Sequence, residues 1–521
     1  MRVLGIEGTA WAASAASFDS ETDDVFIESD PYQPDSGGIH PREAAEHMSE
    51  AIPRVIERAL SAADGVDAVA FSQGPGLGPC LRIVASAARA LAQRLDVPLV
   101  GVNHMVAHLE IGRHRSGFAN PVCLNASGAN AHVLGYHNDR YQVLGETMDT
   151  GVGNALDKFA RHLDWGHPGG PKIEAAAREG EYVDLPYVVK GMDFSFSGIM
   201  SAAKAAVASG ERIEDVCFSL QEHVFAMLTE VSERALSLTG SDELVLGGGV
   251  GQNARLREML EAMCEARGAS FYAPEPRFLR DNAGMIAVLG ATMAAAGDTL
   301  AIEDSRVDSN FRPDQVDVTW RGAESVSRAT GDESEVVGAE AAVALGSQVE
   351  KRRLAKAYRH PTLDRRLRRE RTASEARLTS LARRAGVPTP VVRDVDPREG
   401  TLVLEHVGET DLSAELVPER VREFGAHLAT LHERGLVHGD PTPRNARRSG
   451  DRLYCIDFGL GYHTDEIEDY AMDLHVFERS LAGTAGDFEA CREAFEAGYR
   501  ETGDSGVLDQ LREIEGRGRY R

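Results

Sequence analysis

Two neighbouring segments decide the class of fold: residues 66–76, VDAVAFSQGPG, and residues 81–95, LRIVASAARALAQRL. The first is a short apolar run that ends in glycine and proline, which is typical of a buried strand followed by a turn. The second is rich in alanine and has its apolar residues at helical spacing. The same alternation of short strands and helices runs from residue 1 to about residue 310, and it predicts an α/β fold.

The length and composition exclude several classes of protein. A chain of 521 residues has room for about two to four domains. Its 42% apolar and 26% charged residues are typical of a globular protein, and no apolar run approaches the roughly 20 residues of a membrane span. The N-terminus, MRVLGIEGTA, resembles a strand entering a glycine turn and not a secretion signal. We expect a cytoplasmic protein without membrane contact, whose six scattered cysteines are buried, reduced thiols.

The formal net charge of −26 would normally disfavour a nucleic-acid partner, because phosphates repel a negative surface. Only six of the 56 basic residues are lysine, however, and an excess of acid with scarce lysine suggests a salt-loving source. In molar salt the Debye length falls to about 3 Å, so the net charge would repel RNA only weakly. The charge therefore does not exclude a nucleic acid as a partner.

The composition changes at residues 312–335, RPDQVDVTWRGAESVSRATGDESE, which are polar and acidic with few apolar residues to bury. We therefore predict one domain at residues 1–325, a linker at 326–335 and a second domain of different architecture at 336–521. No heptads, low-complexity tracts or short repeats occur in the sequence.

Glycine clusters stand where strands of the first half give way to helices, at residues 5–8, 74–78, 127–128, 169–170 and 247–251. Backbone amides in such turns can hold a phosphate group. Each cluster by itself is equally a plain tight turn, since glycine is the default residue where φ is positive. Five clusters within one domain favour a nucleotide site.

His104 and His108 lie four residues apart in NHMVAHLEIG, so on a helix both rings face the same way and can bind one metal ion. The alternative is two polar positions on a half-exposed helix. A zinc peptidase would need glutamate after the first histidine, and Met105 stands there instead. Asp281, in RFLRDNAGMIA, is a candidate third ligand, although alone it would pass as a helix N-cap.

Nine motifs in one order resemble the universal tRNA threonylcarbamoyladenosine transferase family, over nearly all of residues 1–325. They are GIEGTA, GPGLGPCLRI, HMVAH, NASGANAHVL, DTGVGNALDK, HPGGPKIE, MDFSFSGI, GGGVGQN and RDNAGM. The resemblance implies a duplicated actin-like, Hsp70-like α/β fold. It also implies one iron or zinc ion held by His104, His108 and Asp281.

The same resemblance implies a binding site for threonylcarbamoyl-AMP. Its residues would be Asn125, Ala126, Ser127, Gly128, Ala129, Asp157, Gly170, Glu174 and Asn253. The family often has tyrosine at the position of Asn125. Asparagine offers a neutral amide oxygen and not a phenolate, so the resemblance does not fix a fourth protein ligand for the metal. Water or substrate could take that position. The implied reaction is attack by the N6 amine of the adenosine 3′ of the anticodon on the carbamoyl carbon, with AMP leaving. A separate enzyme would supply the adenylate.

The second half carries a different set of motifs. His438-Gly439-Asp440 followed by Asn445, and then Asp457-Phe458-Gly459, has the order and spacing of a kinase catalytic loop and magnesium motif. Asp440 is the predicted base, and Asn445 and Asp457 are the predicted Mg²⁺ ligands. For ATP we predict Lys351 with its helix partner Glu375. A degenerate phosphate loop is predicted at Gly338, Ala339, Glu340, Ala341, Ala342 and Val343.

Residues 335–521 resemble the small atypical kinase of the KEOPS complex. They depart from ordinary protein kinases in lacking a full glycine-rich loop and an APE-type segment, and in having Gly439 in place of arginine. The resemblance implies a small bilobal kinase-like α+β domain that uses ATP and Mg²⁺. It also implies further small KEOPS subunits as partners, including a dimerising one.

Residues 351–384 contain 13 lysines and arginines against three acidic residues. This stretch is either a contact for tRNA or nucleotide phosphates, to which Arg517, Arg519 and Arg521 could add, or a solvated helix face paired with acidic neighbours.

Taken together, the sequence predicts a bifunctional tRNA-modifying enzyme. A signalling serine/threonine kinase with a regulatory nucleotide-binding module is the alternative, and a metallopeptidase is a third reading, weakened by the missing glutamate.

Overall fold

The computed structural model describes residues 1–32, 40–128, 130–137, 139–322, 335–408 and 410–516. Ala129 of the expected substrate site, residues 326–334 of the expected linker, and the C-terminal arginines Arg517, Arg519 and Arg521 lie outside the described residues. By its contacts the chain divides into two compact units. The first comprises residues 1–187 and 195–327, and the second comprises residues 188–194 and 328–518.

Helices and strands alternate along residues 1–327. They are β1 (Arg2–Glu7), β2 (Ala12–Asp19), β3 (Asp24–Pro31), α1 (Pro41–Ser61), β4 (Ala68–Gly74), α2 (Gly78–Leu95), β5 (Leu99–Asn103), α3 (His104–Ser116), β6 (Val122–Ala126), β7 (Ala131–His137), β8 (Arg140–Glu146), α4 (Val152–His162), α5 (Gly170–Ala177), β9 (Val189–Lys190), β10 (Asp193–Phe194), α6 (Ser197–Ala208), α7 (Ile213–Thr239), β11 (Glu243–Gly247), α8 (Ala254–Arg267), β12 (Ser270–Tyr272), α9 (Pro276–Leu279) and α10 (Ala283–Ala295).

The remaining residues form a second set of helices and strands. They are β13 (Glu335–Val337), β14 (Ala341–Leu345), β15 (Gln348–Arg353), α11 (Pro361–Ala385), β16 (Val392–Asp396), β17 (Thr401–Glu405), β18 (Thr410–Asp411), α12 (Pro418–His432), β19 (Leu436–Val437), β20 (Ala446–Ser449), β21 (Arg452–Cys455), β22 (Tyr462–His463), α13 (Ile467–Thr484), α14 (Phe488–Tyr499) and α15 (Ser505–Gly516).

The first unit contains the same sheet twice. One five-stranded sheet has the order β3-β2-β1-β4-β5, and the other has the order β8-β7-β6-β11-β12. In each sheet the three strands that come first in the chain are antiparallel, and the last two join them in parallel. The predicted α/β class is confirmed, and the matching strand orders make the unit a topological duplication.

Helix α3 connects the two sheets, and helix α10 packs beside it on the first sheet. Helix α3 contacts β4 and β5 of the first sheet and β6 and β11 of the second, and it also packs against α10. Helix α10 is apolar on all sides and lies against β1, β2 and β4, as expected of a helix buried all round. A Cβ on Gly5 of β1 would lie 2.5 Å from the carbonyl oxygen of Ala283, so glycine lets the start of α10 approach the strand closely.

Residues 316–321 pack against the first unit although the segment at 312–335 is polar and acidic on average. Val316, Val318 and Trp320 pack against its core, because alternate residues of this segment face inward. The side chain of Arg321 is 1% exposed, pairs with Glu110 at 3.2 Å and lies 4.0 Å from the centre of the Tyr136 ring. Residues 316–321 are therefore part of the first unit.

The second unit has one mainly extended part and one helical part. Strands β13-β14-β15-β17-β16 form an antiparallel sheet, and α11 packs against β16 and β17. Helices α12, α13, α14 and α15 pack together around their own apolar core. All six cysteines of the chain are buried and free, as expected. None of the described helices is long and apolar enough to span a bilayer.

Replacing Arg321 with alanine is expected to destabilise the first unit by about 3 kcal/mol, because Glu110 would lose a partner inside the core. All three tryptophans, Trp11, Trp165 and Trp320, belong to this unit, so their fluorescence during denaturant unfolding measures its stability separately. Arg312→Ala, which removes an exposed pair with Asp314, is the control and should change little. Equal stability of the two variants would contradict the prediction.

Candidate functional site

The two histidines of the first unit are placed by the start of α3. The side chain of Asn103 caps this helix by accepting hydrogen bonds from the backbone N–H groups of Met105 and Val106, at 3.0 and 3.1 Å. His104 is the first residue of the helix and His108 follows one turn later. Their rings face the same region, with centres 4.9 Å apart and planes at 89°. Both histidines are buried, so they are not polar positions on a half-exposed helix.

Asp281 lies immediately before α10 and faces both histidines. One oxygen, Oδ1, is 3.4 Å from Nε2 of His104 and 3.4 Å from Nε2 of His108. The N-cap of α10 is the next residue, Asn282, whose side chain accepts from the N–H of Met285. Asp281 is therefore not the helix cap. It is held beside the histidines by the packing of α10 against α3.

The three side chains fit a divalent metal ion. Each offers one ligand atom, and these atoms all lie within 4.8 Å of one another. Among the described residues, neither nitrogen of the buried His108 has a hydrogen-bond partner, an arrangement that is costly unless a ligand takes one of them. Two imidazoles and a carboxylate are a donor set suited to iron or zinc.

Glu7, at the end of β1, is a further member of this site that the sequence reasoning did not single out. It is fully buried, and its Oε2 lies 3.2 Å from Nδ1 of His104. Its Oε1 accepts the backbone N–H of Thr9 at 2.8 Å, which fixes the carboxylate. A carboxylate on Nδ1 selects the tautomer that leaves Nε2 free for a metal. In the sequence, Glu7 could have been found only as an acidic residue at the end of an apolar strand.

The charges of the cluster are strongly coupled. Burial by itself would lower the pKa of His104, but the carboxylates of Glu7 and Asp281 raise it to about 10. Burial lowers the pKa of His108. Burial also opposes ionisation of Asp281, yet the two histidines hold its pKa well below the usual range. Asp281 is therefore ionised at neutral pH and presents a negative oxygen to both rings.

Four of the expected adenylate residues, Asn125 to Gly128, lie at the end of β6 and in the turn that follows it. The N–H of Gly153 donates to the carbonyl of Ser127 at 3.1 Å, and the N–H of Asn154 donates to that of Gly128 at 2.9 Å. The start of α4 is thereby joined to this turn. On another side stands Gly248, with φ +83°, where a Cβ would lie 2.3 Å from the carbonyl oxygen of Ala126. Only glycine fits there.

The other expected substrate residues form two linked pairs. Asn253 caps α8 and donates to Gln221 at 3.1 Å, while Glu174 accepts the N–H of Ala254, the next residue, at 3.1 Å. Asp157 of α4 accepts the N–H of Gly169 at 2.7 Å, directly before Gly170. The structure thus brings Asn253 near Glu174, and Asp157 near the glycine turn at Gly170.

Trp11 lies beside the turn at Gly128, and His167 stacks on Trp11. Neither side chain was predicted from the sequence as a site residue. The rings of Trp11 and His167 are nearly parallel, with centres 5.4 Å apart and planes at 3°. Nε1 of Trp11 would lie 3.8 Å from a Cβ on Gly128, so an aromatic ring borders the turn. Asn125 is also informative: its amide nitrogen lies 3.3 Å from Nε2 of His132, and its buried Oδ1 has no hydrogen-bond partner among the described residues.

In the second unit the expected kinase residues fall into two groups. Nζ of Lys351 is 2.8 Å from Oε1 of Glu375 and 2.7 Å from Oδ1 of Asp457. Asn445 donates to the backbone oxygen of Asp440 at 2.8 Å and to its carboxylate at 3.2 Å. Of the expected phosphate loop, residues 338–340 form the turn between β13 and β14, and residues 341–343 lie within β14.

The structure explains why glycine occupies position 439 in the predicted catalytic loop. Gly439 has φ +83°, and a Cβ there would lie 2.3 Å from the carbonyl oxygen of Leu460, so an arginine at this position would not fit. Asp473 of α13, which the sequence reasoning missed, holds the loop. Its two oxygens accept the backbone N–H groups of His438 and Gly439, each at 2.8 Å.

The duplicated sheets and the buried His–His–Asp cluster define the first unit as an α/β protein with a repeated topology and a candidate metal centre. A family model described as tRNA N6-adenosine threonylcarbamoyltransferase, TsaD, matches residues 22–288. The chain belongs to this family.

Relatives match the chain from end to end. A probable bifunctional tRNA threonylcarbamoyladenosine biosynthesis protein of Halobacterium salinarum is 71% identical over 100% of this chain and 99% of its own length. A protein of the same name from Methanospirillum hungatei is 52% identical over 99% of both chains. Among solved structures, HypF of T. kodakarensis is 15% identical over 59% of this chain and 50% of its own, with a TM-score of 0.43.

If Glu7 orients His104, Glu7→Ala should weaken metal binding by about 10- to 100-fold. Glu7→Gln keeps an acceptor without the charge and should fall between that variant and wild type. The measurement is competitive titration of the metal-loaded protein with a chelator. The control is Glu28→Ala on β3 of the same sheet, which removes a glutamate paired with Arg58. Unchanged affinity in Glu7→Ala would refute the positioning role.

Proposed function

We propose that the first unit transfers the threonylcarbamoyl group from threonylcarbamoyl-AMP to the N6 amine of the adenosine 3′ of the anticodon in tRNA. We further propose that the second unit is a small kinase-like ATPase that supports or regulates this transfer. The family match and the relatives' shared name support the first activity, and the word bifunctional in that name is consistent with a second one.

The observation that carries the proposal is the adjacency of the histidine cluster and the glycine turn. Gly247 lies between them: a Cβ on this residue would be 3.6 Å from Oδ1 of Asn125 and 3.7 Å from Cβ of His108. A substrate held by the turn would therefore lie next to the metal ligands. Transfer from an adenylate requires this arrangement, because the phosphate and the acyl group of the substrate are neighbours.

The transfer forms a bond between the N6 nitrogen and the carbamoyl carbon, breaks the bond from that carbon to the phosphate oxygen of AMP, and releases one proton from the N6 amine. The backbone amides of the turns around Gly128 and Gly248 would hold the phosphate, which keeps AMP fixed as it leaves. Trp11 offers a ring on which a base could stack. An iron or zinc ion on His104, His108 and Asp281 would supply electrostatic stabilisation of charge on the substrate's oxygens.

For the fold we propose the actin-like, Hsp70-like class for the first unit, because the same strand order occurs twice. For the second unit we propose a bilobal protein-kinase-like domain. Its antiparallel sheet carries Lys351, and α11 carries the partner Glu375. The turn with Asp440 and Asn445 and the one with Asp457 would hold ATP and Mg²⁺ between them.

For the basic segment, the structure divides the arginines into two sets. Arg353, Arg359, Arg368 and Arg371 pair with acidic residues of the same unit. Arg365, Arg369 and Arg377 are exposed on α11 at spacings of four and eight residues, so they share one face. We propose that this exposed face contacts tRNA phosphates.

A separate enzyme would supply the adenylate, and small KEOPS subunits, including a dimerising one, would be the protein partners.

Transfer of labelled threonine into unmodified tRNA tests the main proposal. The mixture contains bicarbonate, ATP, the adenylate-forming enzyme and partner subunits in high salt. His104→Ala should reduce both the incorporated label and the bound metal to background, whereas His162→Ala, which removes an exposed histidine of α4, should change neither. If the wild-type chain incorporates no threonine but phosphorylates proteins, the signalling-kinase alternative takes its place.

The same assay tests the second unit. Asp440→Asn should abolish ATP hydrolysis and slow threonine incorporation, because the substitution removes the predicted base. The amide of the asparagine fills the same space as the carboxylate. Asp451→Asn, at a fully exposed aspartate, is the control. Unchanged ATP hydrolysis in Asp440→Asn would contradict the assignment of the base.

The exposed face of α11 can be tested separately. The double variant Arg365→Gln/Arg369→Gln should bind tRNA more weakly, and the slope of log affinity against log salt should fall by about one for each lost phosphate contact. The measurement is tRNA binding over a salt series. Arg393→Gln/Arg398→Gln, at two exposed arginines on and after β16, is the matched control. An equal effect of both double variants would show a general loss of positive charge and not a defined contact.

A further inference from the structure

Arg353 is a second cation beside the lysine of the proposed ATP site. It lies two residues after Lys351 on β15, so both side chains leave the same face of the strand. Its side chain is buried, and Nη2 is 2.6 Å from Oε2 of Glu375. The other oxygen of Glu375 is 2.8 Å from Nζ of Lys351. One carboxylate is therefore shared between two cations.

The same guanidinium reaches the turn that was predicted to cover the phosphates. Nη1 of Arg353 is 2.5 Å from Oε2 of Glu340, and Arg371 of α11 lies 2.8 Å from the other oxygen of Glu340. The carboxylate of Glu340 is thus held toward α11. A carboxylate in a phosphate-binding turn would repel ATP unless cations paired with it in this way.

Arg353 also borders the magnesium motif. A Cβ on Gly459 would lie 2.5 Å from Nη2 of Arg353, 3.1 Å from Oδ1 of Asp457 and 3.4 Å from Oε2 of Glu375. The guanidinium therefore joins three parts of the unit: the turn before β14, helix α11 and the segment after Asp457. An ordinary lysine–glutamate pair joins the sheet to the helix alone.

The charges of this group balance. Three cations, Lys351, Arg353 and Arg371, face three carboxylates, Glu340, Glu375 and Asp457. The charges of Asp457 and Glu375 raise the pKa of Lys351 despite its burial, and Lys351 lowers that of Asp457 despite burial, so both stay charged. Removal of Arg353 would leave one negative charge in excess where a polyphosphate has to bind.

We propose that Arg353 is a positioning residue of the ATP site, the counter-charge that keeps Glu375 on Lys351 and Glu340 away from the phosphates. This proposal rests on the ATPase function proposed above for the second unit. Because Arg353 acts through its charge, the loss of Arg353 is compensated when the carboxylate of Glu340 is also removed. A purely structural role would not be compensated in this way.

The test is the affinity of the full-length chain for Mg–ATP, measured at constant high salt by displacement of a fluorescent ATP analogue. Arg353→Met should weaken binding by about tenfold or more. Glu340→Gln should bind more tightly than wild type, because it leaves an excess positive charge. The double variant Arg353→Met/Glu340→Gln should recover most of the lost affinity. Arg352→Met is the matched control, since this neighbour is exposed on the opposite face of β15, and it should bind as wild type does.

Each other outcome is decisive. Wild-type affinity in Arg353→Met overturns the proposal. A loss in Arg353→Met that Glu340→Gln does not recover also overturns it, because the residue then acts through folding and not through charge balance. If the wild-type chain does not bind Mg–ATP at all, the ATPase function itself falls, a result distinct from the two above.

Discussion

The contact between α3 and α10 is the constraint on which the first unit depends. It places the carboxylate of Asp281 at 3.4 Å from two imidazoles that come from the other helix. Each of these groups would be costly to bury alone, and together they offset one another's loss of hydration. The contact in turn requires α10 to lie directly on β1, where Gly5 leaves room for its first turn. A bulkier side chain at this position would move Asp281 and separate the cluster.

The two units use buried charge in different ways. In the first, neither nitrogen of His108 makes a hydrogen bond among the described residues, so the cluster has ligand atoms left for a cation from outside. In the second, three cations and three carboxylates already neutralise one another. Such a group suits a ligand that brings its own counter-ion, as Mg–ATP does. The difference explains why one site can be recognised from its ligand atoms and the other from its ion pairs.

Much of both sites could be read from spacing. The interval between His104 and His108 fixes a shared helix face, and the motifs of the second unit fix the order of Asp440, Asn445 and Asp457. Glu7, Asp473 and Arg353 were missed because each acts on a residue distant in the chain. An acidic residue at the end of a strand, or an arginine in a basic run, gives no indication of its partner. The composition of residues 316–321 does not reveal their packing for a related reason, since alternate residues face the core while the average is polar.

The sequence by itself determined the α/β class of the first unit, the helical histidine pair and the family, because these depend on local periodicity and on the order of motifs. The tertiary structure alone decided which distant groups meet: Asp281 with the histidines, Glu7 with His104, Asp473 with the backbone of His438 and Gly439, and Arg353 with Glu340 and Glu375. Pairings across tens or hundreds of residues follow from how helices and sheets pack, and that packing is a property of the whole fold and not of any segment.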